Sequence, residues 1–163
     1  MVLNGNLRLM PENNAGEMIF TSVYRHSLDG KRRVPVPFRW RPKDPVDFTL
    51  MVFPEPEVGN CLRVLPPAQW IKLLEEIQAM PPDHEQKPIL QRLVGRHSIE
   101  VRLDTAGRIT IPEDMAVAAD ITNMAVLAGS LRHFELWSPA RYAAMEEKDK
   151  PEQVNVLKRV RAL

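Results

Sequence analysis

Residues 103–112 of the 163-residue chain, LDTAGRITIP, have a second copy in LDGKRRVPVP at residues 28–37. A shift of 75 aligns four identical residues of the two stretches, Leu28, Asp29, Arg33 and Pro37 with Leu103, Asp104, Arg108 and Pro112. Further along, a shift of 72 aligns residues of similar kind, Leu62, Val64, Pro67, Ala68 and Trp70 with Phe134, Leu136, Pro139, Ala140 and Tyr142. The chain therefore contains an internal repeat, with three extra loop residues expected in the first copy, around residues 55–60.

Each copy, of about 45 residues, is too small to bury a core alone, so we expect the two to complete one pseudo-two-fold domain. In copy two, alternating apolar residues predict strands on either side of a tight connection at 104–108. A short helix is expected over 113–119, two strands at 124–127 and 134–137, and a closing helix from Pro139. Copy one follows the same order, except that Pro42 and Pro45 reduce its first helix to a turn or less.

The two copies are joined by a segment with helical periodicity. Apolar residues recur on one face of 67–80, where Pro81 and Pro82 end the helix, and again over 89–94. The predicted fold is α+β, a pseudo-two-fold, β-barrel-like domain with short peripheral helices. Its expected parts are a flexible extension at 1–19, repeats at 25–71 and 100–143, a helical connector at 72–99, and a tail at 144–163.

Composition excludes several classes of protein. Hydrophobic residues make up 44% and charged residues 26% of the chain, and the formal net charge is +1. We find neither an apolar run of roughly 20 residues nor a leader, and expect an intracellular protein with no membrane partner. Cys61 is the single cysteine, which excludes an internal disulfide and a cysteine-rich zinc site. Phosphate loops, nucleophile elbows and paired catalytic carboxylates are missing, so we expect neither an enzyme nor a cofactor or metal.

Positive charge is concentrated in copy one. Residues 25–43 contain seven basic residues against Asp29 alone, a local balance of +6: Arg25, Lys31, Arg32, Arg33, Arg39, Arg41 and Lys43. The equivalent window of copy two, residues 100–118, has two basic and four acidic residues, a balance of −2. Such a concentration in a nearly neutral chain is typical of a surface that binds a polyanion. The alternative is a solvated, arginine-rich loop.

The repeated loops carry the remaining candidate residues. Asp29 and Asp104 stand where a strand enters a tight connection, and we expect their carboxylates to accept backbone N–H bonds and hold the turn. Gly107 is expected to supply a positive φ, whereas copy one has Arg32 at that position, which either strains or shifts the turn. Arg33 and Arg108 can each pair with the aspartate of their own loop or point outward. Local charge favours the outward orientation for Arg33 and an ion pair for Arg108.

The paired D-x-x-x-R loops, each followed by hydrophobic-x-hydrophobic-Pro, resemble the MraZ family. The motifs are His26-Ser27-Leu28-Asp29-Gly-Lys-Arg-Arg33 and Leu103-Asp104-Thr-Ala-Gly-Arg108. Further similar features are Cys61-Leu-x-Val-x-Pro-x-x-x-Trp70, Gln91-Arg92 and Phe134-Glu135-Leu136-Trp137. The resemblance covers residues 20–143. It implies two SpoVT-AbrB-type repeats and a sequence-specific DNA-binding transcription factor, typically a repressor of its own division and cell wall gene cluster.

The resemblance also implies a ring-shaped homo-oligomer that reads repeated promoter boxes in the nucleoid with its D-x-x-x-R loops. Carried over by position, Arg33 would contact duplex DNA with Lys31 beside it, and local charge adds Arg32, Arg25, Arg39 and Arg41. The sequence departs from the family in three places: Arg32 replaces the usual glycine, the first helix is broken by prolines, and about 18 residues precede the expected start.

Two other functions stay open at this point. One is an oligomeric protein-interaction module, in which the basic loop binds an acidic protein. The other is an antitoxin-like DNA binder with the same type of fold. Nucleic-acid binding predicts competition by any duplex, whereas an interaction module predicts indifference to it. The DNA box, the number of protomers and the direction of regulation are not given by the sequence.

Overall fold

A computed structural model describes residues 18–163, and within them the expected strands and helices are present. The strands are β1 (Val23–Ser27), β2 (Arg33–Pro35), β3 (Asp47–Glu55), β4 (Gly59–Leu65), β5 (Ser98–Arg102), β6 (Arg108–Thr110), β7 (Met124–Gly129) and β8 (Phe134–Trp137). The helices are α1 (Pro67–Ala79), α2 (Lys87–Arg96), α3 (Glu113–Ala118), α4 (Pro139–Asp149) and α5 (Gln153–Leu157), with 3-10 turns at Phe38–Trp40 and Lys150–Glu152. The predicted α+β class is confirmed.

Copy one has only the 3-10 turn Phe38–Trp40 where copy two has α3, as expected from its prolines. The predicted loop at 55–60 is shorter than expected, because β3 and β4 extend through much of it and pair as far as Glu55 with Gly59. The extra residues of copy one therefore lengthen a hairpin more than they lengthen a loop.

Strands of the two copies are intermixed in one six-stranded antiparallel sheet, in the order β1-β7-β8-β4-β3-β5. A separate two-stranded antiparallel ribbon pairs β2 with β6. Replacing each strand by its counterpart in the other copy (β1 by β5, β2 by β6, β3 by β7, β4 by β8) gives the same order in reverse. Each end strand pairs with a strand of the other copy, and β4 pairs with β8 at the centre, so neither copy forms its part of the sheet alone.

The main core lies between one face of the six-stranded sheet and the ribbon. Val34 of β2 and Ile109 of β6 are fully buried in it, together with Trp40. The Trp40 ring lies 5.8 Å from Phe20 and 5.0 Å from Phe134, measured between ring centroids. Burying these apolar side chains fixes the ribbon against the sheet.

The other face of the sheet is covered by helices. Ile77 of α1 and Val94 of α2 pack with Met51 and Leu65. Beside α4 lies a second cluster that includes Cys61 and Trp137. Burial raises the pKa of the Cys61 thiol to about 12, so this cysteine is a packed apolar residue.

Residues next to both ends of the predicted repeats take part in the fold. Phe20 is buried and exchanges backbone hydrogen bonds with Leu131, and Met18 packs against the core. Residues 1–17 of the predicted extension lie outside the described residues. At the other end, α4 continues to Asp149, past the predicted end of repeat two. The domain boundaries themselves stay a prediction.

Candidate nucleic-acid interface

The two D-x-x-x-R loops have the same hydrogen-bond pattern. Asp29 Oδ1 accepts the backbone N–H groups of Lys31 and Arg33, both at 2.9 Å. In copy two, Asp104 Oδ1 accepts those of Ala106 and Arg108, also both at 2.9 Å. An aspartate that caps the backbone two and four residues on closes a tight turn, so each carboxylate determines the shape of its own loop.

The arginine at the end of each loop pairs with the second oxygen of the same carboxylate. Arg33 Nε lies 2.6 Å from Asp29 Oδ2, and Arg108 Nε lies 2.9 Å from Asp104 Oδ2. Arg33 was expected to reach out of its loop without pairing with Asp29, and that expectation is wrong, because the backbone bonds use Oδ1 and leave Oδ2 facing the Arg33 side chain. Both arginine side chains are 33% exposed, so the two loops are equivalent where local charge predicted a difference.

The ribbon brings both loops to one face of the molecule. Arg33 is opposite Thr110, and Pro35 is opposite Arg108. Because side chains alternate along a strand and Val34 and Ile109 point into the core, Arg33 and Arg108 project from the outer face. Arg108 Nη1 lies 3.8 Å from Asp29 Oδ2 in the other copy.

Both aspartates have a lowered pKa. The backbone N–H of Arg33, with further help from its side chain and the N–H of Lys31, lowers the pKa of Asp29 to about 2 despite some desolvation. The pKa of Asp104 is lowered in the same way, first by the backbone N–H of Arg108. Both carboxylates are therefore ionised at neutral pH and hold their arginines in fixed orientations.

The glycine position of the loop has a positive φ in both copies. Gly107 has a φ of +78°, and Arg32 has a φ of +57°. The turn of copy one is therefore not shifted. Arg32 adopts the backbone conformation that its counterpart glycine adopts freely, at a cost of about 1 kcal/mol.

The six basic residues that were predicted to contact DNA have different surroundings. Lys31 is exposed at the tip of its loop and Arg39 is exposed on the 3-10 turn. Arg25 points to the face that carries α4, with its guanidinium 5.8 Å from the Tyr142 ring centroid. Arg32 and Arg41 each bond a backbone carbonyl through Nε. Only Lys31 and Arg33 thus lie in the loop that caps the ribbon with their side chains at its outer surface.

Charge counting missed that Arg108 shares this face with Arg33. The signal that predicts it is the repeat itself, because identical motifs at equivalent positions in a pseudo-two-fold domain occupy equivalent places. Arg102, which lines a cleft together with Asp104 and Gly107, makes two bonds with Asp47, Nε–Oδ1 at 2.8 Å and Nη2–Oδ2 at 3.0 Å. In residues 18–163 we find no group of His, Cys, Asp or Glu arranged to hold a metal. No helix in that range has the length and hydropathy to cross a membrane.

Comparison with known proteins identifies the family. The model of the MraZ protein family, whose description calls it antitoxin-like, matches residues 96–159. The chain is 32% identical over 124 residues to the transcriptional regulator MraZ of Roseiflexus castenholzii, which covers 76% of this chain and 84% of that protein.

Proteins of the same name in Coxiella burnetii and Acidithiobacillus ferrooxidans are also similar. They are 31% identical over 131 residues and 32% identical over 134 residues. Each match covers 79% of this chain, and 86% and 89% of the respective relative. These relatives are named as regulators and not as enzymes, in agreement with the sequence. With this identity over most of its length, the chain belongs to the MraZ family.

Proposed function

We propose that the chain is a sequence-specific, DNA-binding transcriptional regulator that contacts duplex DNA with the outer face of the β2–β6 ribbon. The observation that carries this proposal is the pair of equivalent loops on one face, each presenting an arginine held by its own aspartate. The names of its relatives support the same function. We call the surface formed by residues 29–33 and 104–108 the loop face.

The chemistry of the loop face suits DNA. An arginine fixed through Nε keeps its guanidinium plane oriented, and an oriented guanidinium pairs with the O6 and N7 atoms of guanine in the major groove. A two-stranded ribbon fits the width of that groove. Lys31, exposed beside Arg33, supplies a phosphate contact, and exposed Arg39 adds positive charge nearby.

The finer parts of the proposal rest on the family resemblance. They are repression of the division and cell wall gene cluster, recognition of repeated promoter boxes, association with the nucleoid in the cytoplasm, and the tandem SpoVT-AbrB barrel arrangement. The strand order reads the same in reverse when each strand is exchanged for its counterpart, which is consistent with two such repeats.

A ring-shaped homo-oligomer is also part of this proposal. Apolar side chains on α1 and α2 remain exposed in the single chain, Ile71 at 52%, Leu74 at 42%, Ile89 at 57% and Leu93 at 43%. A neighbouring protomer would cover them. Several protomers would then engage repeated boxes together, which raises avidity without new contacts.

Selection of bound fragments from sheared genomic DNA tests the function. We expect the recovered fragments to share a short box repeated at a fixed spacing. Any duplex is expected to compete for binding, and duplex that contains the box is expected to compete at lower concentration than unrelated duplex. Fragments without a common box, or retention of an acidic protein that duplex DNA does not displace, would favour the protein-interaction module. Boxes found only beside a toxin gene would favour an antitoxin-like regulator.

A further inference from the structure

In each copy, one backbone N–H donates a hydrogen bond to the loop of the other copy. Val36 and Ile111 are equivalent and directly follow the β2 and β6 region. The Val36 N–H donates to Gly107 O at 2.9 Å, and the Ile111 N–H donates to Arg32 O at 3.0 Å. Because Arg32 and Gly107 are themselves equivalent, these two bonds are the same contact seen from each copy.

The carbonyl oxygens of Val36 and Ile111 each accept a hydrogen bond from an arginine guanidinium. Arg41 Nε donates to Val36 O at 2.8 Å, and Arg32 Nε donates to Ile111 O at 3.0 Å. The acceptors are equivalent, but the donors are not, since the counterpart of Arg41 is Ala116. Two equivalent hydrogen bonds are therefore made by arginines from different places in copy one.

The donors differ because the space beside the glycine position of the loop is filled differently in the two copies. A Cβ atom placed on Gly107 would overlap the guanidinium of Arg41. At Gly107 the position of a side chain is thus filled by Arg41, which comes from the segment after the 3-10 turn of copy one. At the equivalent position in copy one, Arg32 fills that place with its own side chain, at the same positive φ.

We propose that Arg32 and Arg41 are positioning residues, two clamps that each hold a loop against the strand end of the other copy. Arg32 does so by bonding Ile111 O across the copies, and Arg41 does so by bonding Val36 O of its own copy while its guanidinium packs on Gly107 of the other. This assignment removes both from the set of DNA contacts that charge alone suggested. It also gives a reason for arginine at a position that favours glycine, because the bonded guanidinium offsets the strained backbone. Its consequence for DNA, two loops held in equivalent positions, rests on the proposed function.

Transplanting the clamp tests the proposal without DNA. Arg41→Ala removes the donor to Val36, and we expect a melting temperature lower by about 2–6 °C and roughly tenfold faster amide exchange at Val36. Adding Gly107→Arg reproduces in copy two the arrangement that Arg32 has in copy one. The double variant R41A/G107R is therefore expected to regain most of the lost melting temperature and of the Val36 protection.

Two control variants separate the clamp from charge and from backbone strain. Gly107→Ala in the Arg41→Ala background adds the strained Cβ without a guanidinium and is expected to lower the melting temperature further. Arg39→Ala removes an exposed charge of the same segment and is expected to leave Val36 exchange unchanged.

The proposal is overturned if R41A/G107R melts no higher than R41A, or if R41A leaves Val36 exchange as in the wild type. These measurements use the protein without DNA, so a negative result overturns the clamp alone. The proposed function is overturned by a different result, the absence of DNA binding by the wild type.

Discussion

Arg108 of copy two reaches the carboxylate of Asp29 in copy one, with Nη1 3.8 Å from Oδ2. The same oxygen lies 2.6 Å from Arg33 Nε. One carboxylate therefore faces arginines of both copies, which joins the two loops into a single electrostatic unit. A substitution in either loop is expected to affect the same surface.

The first prediction concerns the core that supports this surface. Trp40 is 1% exposed, and its Nε1 donates to Thr21 O at 3.0 Å. Trp40→Ala is expected to lower the free energy of unfolding by about 3–5 kcal/mol, because it leaves a cavity and an unpaired carbonyl. Phe38→Ala, which truncates a ring that is 52% exposed, is expected to change it by no more than about 0.5 kcal/mol. Denaturant titration at matched protein concentration compares the two, and equal losses would contradict the packing described.

A second prediction follows from the low pKa of Asp29, about 2 against an ordinary 3.8. Because the folded-state pKa is depressed, the stability that ionised Asp29 contributes is complete above about pH 4. It is lost as the pH falls through about 2, where the folded state also takes up the proton. Carboxyl carbon shifts followed by NMR between pH 1.5 and about 5 measure this titration.

Arg33→Ala separates the causes of that shift. The variant keeps the backbone N–H groups that bond Oδ1, of which that of residue 33 is the largest cause of the shift, and loses the side-chain bond. The pKa of Asp29 is therefore expected to rise only in part and to stay below its ordinary value. A return to the ordinary value would mean that the ion pair, and not the turn, lowers the pKa.

The third prediction is a steep salt dependence of DNA affinity. If each engaged protomer neutralises about 3 to 5 phosphates, the logarithm of affinity falls with the logarithm of salt concentration at a slope of roughly −2.7 to −4.5. Lys31→Ala is expected to make that slope shallower by about 0.9. Fluorescence anisotropy at several salt concentrations gives both slopes, and an affinity that does not vary with salt would exclude phosphate contacts.

The fourth prediction concerns assembly. The exposed apolar side chains of α1 and α2 predict a homo-oligomer at micromolar concentration. Leu93→Glu places a charge among them and is expected to shift the assembly toward smaller species in light scattering, with unchanged circular dichroism. Val117→Glu serves as a control on α3, where Val117 is 74% exposed. A wild-type monomer, or equal effects of the two variants, would contradict an interface on α1 and α2.

Much of this fold was predictable because the chain contains two copies of one pattern. Alternation around residues 99–103 and 109–111 predicted β5 and β6, and Pro42 and Pro45 predicted the missing helix of copy one. The pairing of β2 with β6 was not predictable from local patterns, because it joins residues about 75 positions apart. Only the expectation that each half completes the other pointed to it.

The arrangement of the basic residues was harder to predict, because charge counted along the sequence does not show which residues the fold brings together. Charge counted along the chain separates Arg33 from Arg108, whereas the folded ribbon places both on one face. Counting also gave the same weight to Arg32 and Arg41 as to Lys31, although the first two bond backbone carbonyl groups. The roles of basic residues depend on partners that only the fold brings together.

The most direct test of the shared loop face compares Arg33→Ala with Arg108→Ala in binding to box-containing DNA. Both variants are expected to lose affinity to a similar extent, roughly 5- to 150-fold for each engaged contact, or about 1–3 kcal/mol. Both should melt within about 2 °C of the wild type, because exposed ion pairs stabilise little. Arg159→Ala, at an exposed arginine that follows α5, is expected to bind as the wild type does. A large loss in Arg33→Ala with wild-type affinity in Arg108→Ala, or the reverse, would contradict the account, because only one loop would then contact DNA.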